Sequence, residues 1–519
     1  SKNNLQVFGT VDAGGGLGEG TYLLDPADVE ITESVDNNFN TSGTPNLFDP
    51  TGGTAKISND TILASLASTN VFITTFNGAG EDGDITVNAD ITYTGSNDRI
   101  FQLVAADKIT VNKSIKSTGT GSLNVYFNAQ GDVKVGSGTA ANVQIVTQGG
   151  VFALNGANDT GLGFMGSTSD GAGSFTSHTD TLIDTSGKDN GAGGAVDIRA
   201  NIRNPGSGNT SGNIVIGGHI TTSGGTVTSS GAGKAGGSVD LAVFNNSGTI
   251  SVSANADIVT TGSSAHTSGA GGAGGAVTFQ DDSISTVTTS ITLNDTLINT
   301  SGGAALGGGN AVGTGGAITM SDPLNIATGA VHLNTGSSSG GNITTTTVNG
   351  NTAISFTAGS GTISTGILGG GTALTGLTYT ADAVTLSNNI TTAGAFEVTG
   401  AVTLGDNITI NTSSGNGAIT FGSTIDGNKS LTLSSGSGDI KLQGAVGAST
   451  GLTGISINET AETGTIEIAN IGNGSTGTEQ VGVTGQTDIG NSATTTLTLD
   501  GTTYSFNGQT TFEASSSGN

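Results

Sequence analysis

The chain of 519 residues contains no cysteine and no tryptophan, and only 4% of its residues are aromatic. The absence of cysteine excludes disulfide bonds and thiolate metal sites. No apolar run approaches the roughly 18–20 residues of a membrane-spanning helix. Only five prolines accompany the 91 glycines. Because no Gly-X-Y period is present either, the composition excludes a collagen triple helix.

Charged residues are also scarce, at 10% of the chain, and they are unbalanced. The 40 acidic residues outnumber the 13 basic ones, which gives a formal net charge of −27. Nucleic-acid binding needs clustered lysine and arginine, so we expect no nucleic-acid partner. An acidic surface favours solubility and attracts cations.

The abundant feature is a repeated unit: a short apolar strand, Thr-Ser-Gly, a glycine-rich run and another apolar strand. The apolar residue after the glycine pair recurs at Val196, Val239, Val277 and Ile318, at spacings of 43, 38 and 41 residues. A period of roughly 20–50 residues is typical of solenoids, whose repeats bury apolar surface by stacking. Low charge with abundant glycine also occurs in disordered chains. The alternating apolar pairs recur to the end of the sequence and favour a folded solenoid.

A second register, of 24 residues, appears before residue 156. Ile85-Thr86-Val87 returns as Ile109-Thr110-Val111 and then as Val133-Lys134-Val135. Two further short strands lie between successive copies, which predicts three strands per rung of a right-handed parallel β-helix, an all-β fold. Thr86 and Thr110 should point outward. The residues that we expect to point inward are Val87, Val111, Ile198, Leu241, Phe279 and Leu404.

We predict one continuous solenoid in three sections, residues 1–156, 157–330 and 331–519. In the middle section the unit of about 40 residues is interpreted as two rungs with Gly/Ala/Ser loops at one corner. The loops at about 188–194, 231–237, 268–275 and 302–316 should form one ridge, because equivalent positions stack in a solenoid. After residue 331, strand spacings near 20 predict tighter rungs.

One segment has helical spacing. Asn59-Asp60 offers a cap for the apolar residues Ile62, Leu63 and Leu66, which predicts a short helix over 59–66. The preceding segment, about 36–53, is rich in Asn, Thr and Gly and should be a protruding loop.

The run Gly20-Thr21-Tyr22-Leu23-Leu24-Asp25-Pro26-Ala27-Asp28-Val29-Glu30-Ile31, and the order of elements after it to about residue 130, resembles filamentous-haemagglutinin-like exoproteins of the two-partner-secretion type. The resemblance implies an extracellular β-helix on the bacterial cell surface, an adhesin exported through an outer-membrane partner. The chain begins without a methionine or a signal peptide, so we interpret it as an interior segment of a longer precursor.

The chemical groups do not form a recognisable catalytic motif. Histidines 178, 219, 266 and 332 are far apart, mostly in Gly/Ser loops, and the solvated-loop interpretation is favoured for each. Surface pairing explains Arg199 and Arg203 beside Asp197. We therefore expect no catalytic residues and no organic cofactor.

Calcium is the best metal candidate. Glu81, Asp82 and Asp84 place three carboxylates around Gly83, and hard oxygen ligands suit Ca²⁺. Asp281-Asp282 is a weaker candidate, and neither site matches an EF-hand. A solvated acidic turn is the simpler interpretation of both. Asn-x-Ser/Thr triplets, at Asn342, Asn407 and Asn411 among others, leave glycosylation open.

The leading functional hypothesis is a non-enzymatic secreted or cell-surface fibrous protein, structural or adhesive, with surface glycans or a host receptor as partners. The strand-like ends, Leu5–Phe8 and Thr510–Glu513, suggest that copies assemble end to end into filaments, since open sheet edges invite pairing. The alternative is an excised shaft of a large adhesin. A polysaccharide-active enzyme and an ice-binding module are weaker alternatives.

Overall fold

The computed structural model describes residues 14–15, 18–19, 28–37, 39–43, 46–50, 54–75, 83–137, 142–155, 173–200, 212–244, 248–281, 290–474 and 481–515. These residues form a parallel β-helix, as predicted, whose rungs contribute short strands to three faces. The rungs belong to two compact units. The first comprises 1–226, 236–256 and 281–289, and the second comprises 227–235, 257–280 and 290–519.

In the first unit the three faces repeat in a fixed order along the chain. The strands of the first face are Asp28–Thr32, Ala55–Ser58, Asp84–Val87, Ile109–Val111, Val133–Val135, Phe175–Ser177, Ile214–Ile216 and Thr249–Val252. Those of the second face are Ile91–Tyr93, Ile115–Ser117, Gln144–Val146, Leu182–Asp184 and His219–Thr221. Those of the third face are Phe39–Ser42, Asn46–Pro50, Val71–Thr74, Arg99–Ala105, Leu123–Ala129, Phe152–Leu154, Val196–Ala200 and Val239–Val243. Gly14–Gly15 and Gly18–Glu19 form a separate antiparallel pair.

The second unit has the same three-faced plan. Its first-face strands are Ser290–Leu293, Leu324–Ile326, Val348–Gly350, Ile390–Thr391, Ile408–Asn411, Ser430–Ser434, Gly454–Ile457, Thr487–Ile489 and Thr510–Phe512. The second face holds Ile258–Val259, Leu297–Asn299, Val331–Asn334, Ala353–Gly359, Gly376–Ala381, Phe396–Val398, Ile419–Phe421, Ile440–Leu442, Thr465–Ile468 and Thr496–Leu499. The third face holds Val277–Asp281, Ile318–Met320, Ile343–Thr344 and Ile363–Ser364, and a separate sheet of Ala383–Leu386, Ala401–Leu404 and Ile425–Asp426 follows it along the chain.

The core follows from strand alternation, which sends every second side chain inward. Ile85, Ile109 and Val133 pair in register on the first face, as the period of 24 predicts. All six residues predicted to point inward are buried, and Val87 and Val111 are fully so. The outward-facing Thr86 and Thr110 are partly exposed, as predicted.

Aromatic side chains stack from rung to rung inside this core. In the first unit the rings of Phe127 and Phe152 lie 5.4 Å apart. In the second unit Tyr379 lies 5.2 Å from Phe356 and 6.2 Å from Phe396. Burial raises the pKa of the Tyr379 hydroxyl, although the Thr365 hydroxyl lies 3.3 Å from it.

The prediction of two rungs per 40-residue unit is wrong. Val196 pairs directly with Val239, and Val277 pairs directly with Ile318. Each sequence repeat of about 40 residues is therefore a single rung, and the additional residues lie in loops at its corners. The two-rung interpretation would place the strand Ile214–Ile216 on a rung of its own, but it pairs with Phe175–Ser177 and Thr249–Val252 as a first-face strand.

The predicted helix is present and runs from Asn59 to Ser68. Its N-cap is Ser58, whose hydroxyl accepts a hydrogen bond from the Thr61 N–H, so the predicted Asn/Asp cap is wrong by one residue. Within the helix, the side chains of Ile62 and Leu66 are buried. The Arg99 guanidinium donates to the Leu66 carbonyl at 2.8 Å, which satisfies a last-turn acceptor.

The helix follows a first-face strand and precedes a third-face strand, so it takes the place in the chain that a second-face strand has in later rungs. It packs against Ile91–Tyr93, which is the terminal strand at one end of the second face. The segment 36–53, predicted as a loop, contains an antiparallel hairpin of Phe39–Ser42 and Asn46–Pro50. The second hairpin strand pairs with Val71–Thr74, so the hairpin extends the third face. No helix in the described part of the chain is long and apolar enough to cross a membrane.

Candidate functional surface

The corner between the second and third faces carries a recurrent hydrogen bond. A buried hydroxyl at the end of the second-face strand donates to the carbonyl of the glycine that precedes the third-face strand. In the first unit Thr185 bonds the Gly194 carbonyl at 2.6 Å. In the second unit Thr300 bonds the Gly316 carbonyl at 2.6 Å, and Thr335 bonds the Gly341 carbonyl at 2.7 Å. This hydroxyl latch closes loops of very different length, so the rung geometry does not depend on the loop.

Three long loops of the second unit, 227–235, 260–275 and 300–316, stack on one another as layers that we call the glycine fin. The outgoing legs are joined by Gly262 N–H to Ser301 carbonyl and Ala265 N–H to Ala304 carbonyl bonds, at 3.0 and 2.9 Å. The return legs are joined by the bond from Gly271 N–H to the Ala311 carbonyl, at 3.0 Å. The fin is therefore held by backbone hydrogen bonds between layers.

The fin requires glycine because neighbouring backbone layers approach each other more closely than a Cβ atom would allow. A methyl group on Gly303 would overlap the Ser263 carbonyl oxygen of the next layer, and one on Gly272 would overlap the Lys234 carbonyl oxygen. At Gly308 no atom lies within 4 Å of the position that a Cβ would take. Glycine is thus obligatory in the legs and optional at the end of the loop.

The predicted loop ridge is found separately within each unit. In the first unit Gly225 donates to the Gly191 carbonyl at 2.9 Å, and Gly187 donates to the Ser223 carbonyl at 2.9 Å. In the second unit the ridge is the glycine fin, and its layer 300–316 exposes Leu306 and Val312. Whether the ridge mediates contact with a partner stays a prediction.

Many carboxylate and amide side chains at the corners accept backbone N–H groups of the next rung along the chain. Asp98 accepts the Ser122 N–H at 2.8 Å, and Asp426 accepts the Ser449 N–H at 2.8 Å. Asn407 accepts the Ser430 N–H at 3.0 Å. These side chains take the place of the strand ladder where the chain turns, so much of the acidic composition has a structural use.

The calcium candidate is described only at Asp84, because Glu81 and Asp82 lie outside the described residues. Asp84 accepts the Lys108 N–H at 3.0 Å, and its own N–H donates to the Asp28 carboxylate at 3.1 Å. Burial raises the pKa of the Asp84 carboxyl above its ordinary value. Asp28 and Asp107 raise it further, against the opposing effect of Lys108.

The described residues include only some of the side chains that were predicted to bind a metal. Among the described residues no group of three or more His, Asp or Glu side chains is placed to hold a metal ion. The weaker candidate, Asp281-Asp282, is not described at its side chains. Calcium binding at Glu81, Asp82 and Asp84 stays a prediction.

The third face of the first unit brings together two carboxylates and a guanidinium. Asp197 and Asp240 are register partners on neighbouring rungs. Arg199 lies between them, with its Nε 2.9 Å from Asp197 and an Nη 3.6 Å from Asp240. The sequence analysis paired only Asp197 with an arginine and missed Asp240. The spacing of 43 residues between the two Val-Asp pairs was the signal that could have found it.

The remaining sequence candidates are dispersed. His219 and His332 lie on second-face strands, so the loop interpretation is wrong for these two histidines. His178 lies 4.0 Å from Asp180, and His332 lies 2.7 Å from the Ser355 hydroxyl. Of the glycosylation triplets, Asn342 accepts the Thr362 N–H and Asn411 accepts the Ser413 N–H. These contacts occupy the amide oxygens.

The outward rows of the second unit bear on the ice-binding alternative, which needs aligned threonines on successive rungs. The first-face row runs Thr409, Thr432, Ser456, Asp488 and Thr511. A charged residue therefore interrupts it.

No model of a protein family matches the chain, and no curated protein matches it significantly. The resemblance to filamentous-haemagglutinin-like exoproteins therefore rests on the residues quoted above, of which 20–27 lie outside the described part of the chain.

Proposed function

We propose that this chain is the β-helical shaft of a secreted or cell-surface fibrous protein, with a structural or adhesive role that needs no enzymatic chemistry. The observation that carries the proposal is the use of the polar side chains. Corner carboxylates, amides and hydroxyls bond the backbone of the adjacent rung or close a loop. In a molecule built this way, the polar side chains serve to connect each rung to the next.

The physical advantage of such a shaft is resistance to unfolding and cleavage. Each core strand pairs with strands of the rungs before and after it, so a protease must open several rungs together to engage the backbone. Surface glycans or a host receptor would bind along the faces or at the loops. The resemblance to exported adhesins supports an extracellular location.

Limited proteolysis combined with electron microscopy tests this proposal. Proteinase K should cut first at exposed loop residues such as 304–312, leaving large resistant fragments, and micrographs should show elongated particles. Uniform degradation to small peptides, or compact particles, would contradict a shaft. Binding of the intact chain to a glycan panel then separates an adhesive role from a purely structural one.

The carboxylate–arginine cluster favours a second candidate, a polysaccharide-active enzyme, because paired carboxylates carry out acid–base chemistry on sugars. The same cluster has a structural explanation. In-register Asp197 and Asp240 would repel each other, and Arg199 compensates both charges. Incubation with acidic and neutral polysaccharides, with reducing ends as the readout, discriminates the two roles. Turnover that Asp197→Asn abolishes would establish the enzyme, and its absence is expected for the shaft.

End-to-end assembly remains part of the proposal as a separate hypothesis. The first-face strand Thr510–Phe512 pairs on one side with Thr487–Ile489, and Phe512 is partly exposed. A further rung, from the same polypeptide or from a second copy, would pair on the other side. Removing residues 500–519 should shorten any fibres seen by microscopy, whereas unchanged fibres would exclude assembly through this strand.

A further inference from the structure

The legs of the fin layer 300–316 are bonded on both sides, since the Thr300 and Gly315 N–H groups donate to the Asn334 and Ser339 carbonyls of the next rung at 2.8 and 2.7 Å. Within the described residues, the part of the layer beyond these legs, 304–312, has a backbone-bonded neighbour layer on one side only. Towards the preceding layer, the Leu306 and Gly269 backbones exchange hydrogen bonds of 2.8 and 3.1 Å, and the Ala304 carbonyl accepts from Ala265. On the other side the next loop is far shorter, since its latch joins Thr335 directly to Gly341. We call residues 304–312, which extend beyond that short loop, the open layer.

The open layer is exposed and apolar. Leu306 and Val312 are 45% and 42% exposed, and the other residues of the layer, apart from the half-buried Ala305, are exposed as well. No atom lies within 4 Å of a Cβ built at Gly308 or Gly309. Exposed apolar side chains on a small-residue backbone leave room for another backbone to approach closely.

The charge distribution indicates which kind of partner could approach the open layer. The segments 296–321 and 323–381 contain no Asp, Glu, Lys or Arg, although the whole chain carries a net charge of −27. Two copies of so acidic a chain repel each other over most of their surface. The open layer lies within an uncharged stretch, where that repulsion is weakest.

We propose that the open layer binds the open layer of a second copy of this chain, face to face about a two-fold axis. Layers of this composition already pair through backbone hydrogen bonds within the fin, so a second open layer offers the same donors, acceptors and close approach. The two-fold arrangement buries Leu306 and Val312 of both copies together. It needs no complementary charge, which the open layer does not have.

The expected strength of this contact follows from its size. A stable interface buries about 800 Å² on each partner. A layer of nine residues is smaller, so the association is weak in dilute solution. Copies held side by side on a surface would be driven together by their high effective concentration. The open layer would then link neighbouring molecules laterally.

Disulfide trapping detects such a weak contact, because the chain has no cysteine of its own. Asn310→Cys places one thiol in the open layer. Ile367→Cys is the matched control, because Ile367 is 47% exposed and lies in the other uncharged segment, 323–381, outside the fin. Under mild oxidation, Asn310→Cys should form covalent dimers at least about tenfold faster than the control. Equal rates for the two variants would overturn the proposal.

A second variant tests whether the apolar side chains carry the contact. Leu306→Asp/Val312→Asp in the Asn310→Cys chain should slow trapping to the control rate, because it adds like charges to both copies. Ile367→Asp in the same background should leave the rate unchanged. Far-UV circular dichroism and melting temperature, measured on every variant, separate loss of contact from loss of fold. Fast trapping that survives both aspartates in a folded chain would also contradict the proposal.

Discussion

At the scale of single residues, the direction of a side chain decides whether it belongs to the core or to the surface. Val87, Val111 and Val135 form one buried row, and the threonines and lysine beside them form an outward row. A one-residue shift would exchange the two rows. The alternation therefore yields a sharp test of the register.

Val111→Asp should lower the melting temperature strongly, because it buries a carboxylate in an apolar row, which costs several kcal/mol or forces protonation. Thr110→Asp is the control, since Thr110 faces outward and a carboxylate there stays hydrated. Thermal unfolding followed by circular dichroism measures both. Equal melting temperatures for the two variants would show that the register is wrong.

Asp84 and Asp98 should respond to pH with opposite signs. Burial raises the pKa of Asp84, so its ionised form is less stable in the folded chain than in the unfolded one. The resulting penalty is present at neutral pH and disappears as the pH falls below the ordinary value near 3.8. Asp84→Asn keeps an oxygen for the Lys108 N–H, and it should therefore raise stability at pH 7 but not at pH 3.

Asp98 is the control for this experiment. The Ser122 hydroxyl and N–H lower the pKa of its carboxyl, so its ionised form contributes stability above the ordinary pKa. Asp98→Asn should lower stability at pH 7, and the difference should vanish as the pH falls through the lowered pKa. Melting curves from pH 3 to pH 7 decide the signs. A calcium-dependent rise in melting temperature that Asp84→Asn abolishes would support the calcium hypothesis instead.

At the scale of elements, corners distinguish this chain from a plain stack of strands. The hydroxyl latch makes the rung geometry independent of the loop. Residues 6 positions apart, Thr335 and Gly341, and residues 16 positions apart, Thr300 and Gly316, are joined by the same bond. In the long loops, backbone bonds between layers replace side-chain packing. The helix Asn59–Ser68 shows that even a strand position can be filled by another element.

The glycine fin should distinguish its inner glycines from its outer ones. Gly303→Ala forces a methyl group onto the Ser263 carbonyl, so it should separate the layers and lower the melting temperature. Gly308→Ala meets no atom and should have no effect. Neither glycine has a φ in the left-handed region that alanine avoids, so the two variants differ only in the space around the added methyl group. Identical melting curves for the two variants would contradict the layered arrangement.

Removing the latch hydroxyl should destabilise its rung. Thr300→Val leaves the Gly316 carbonyl without its 2.6 Å donor in a buried corner, which should cost about 1–3 kcal/mol of unfolding free energy. Thr300→Ser keeps the hydroxyl and should retain most of the stability. Chemical denaturation of both variants measures the difference. A valine variant as stable as the serine variant would show that the latch contributes little.

At the scale of the whole molecule, stability in a solenoid is a sum of contributions from rungs and from their neighbours. The loops can therefore change without loss of the fold. Replacing residues 304–312 by a two-glycine turn should preserve the far-UV signal and the melting temperature within a few degrees. The Gly313 N–H to Gly303 carbonyl bond lies at the base of the removed part and is retained. A cooperative loss of structure would show that the fin supports the solenoid.

The sequence by itself determined the fold class and the core rows. Strand alternation and the 24-residue period are local or nearly local properties, and they suffice to place Val87 and Val111 inside and to pair Ile85 with Ile109. The helix was also predictable, because its apolar spacing lies within ten residues. Its cap was missed by one residue, since Ser58 and Asn59 are both good capping residues.

Only the tertiary structure decided which strands are neighbours where long loops intervene. A spacing of 43 residues fits two short rungs or one rung with large corners, and the pairing of Val196 with Val239 selects the second. The same pairing brings Asp197, Arg199 and Asp240 together. The glycine fin depends on backbone bonds between loops about 40 residues apart, such as the bond from Gly262 to Ser301. The recurring glycine runs predicted a ridge of loops but not these bonds, because backbone donors and acceptors are the same in every residue except proline.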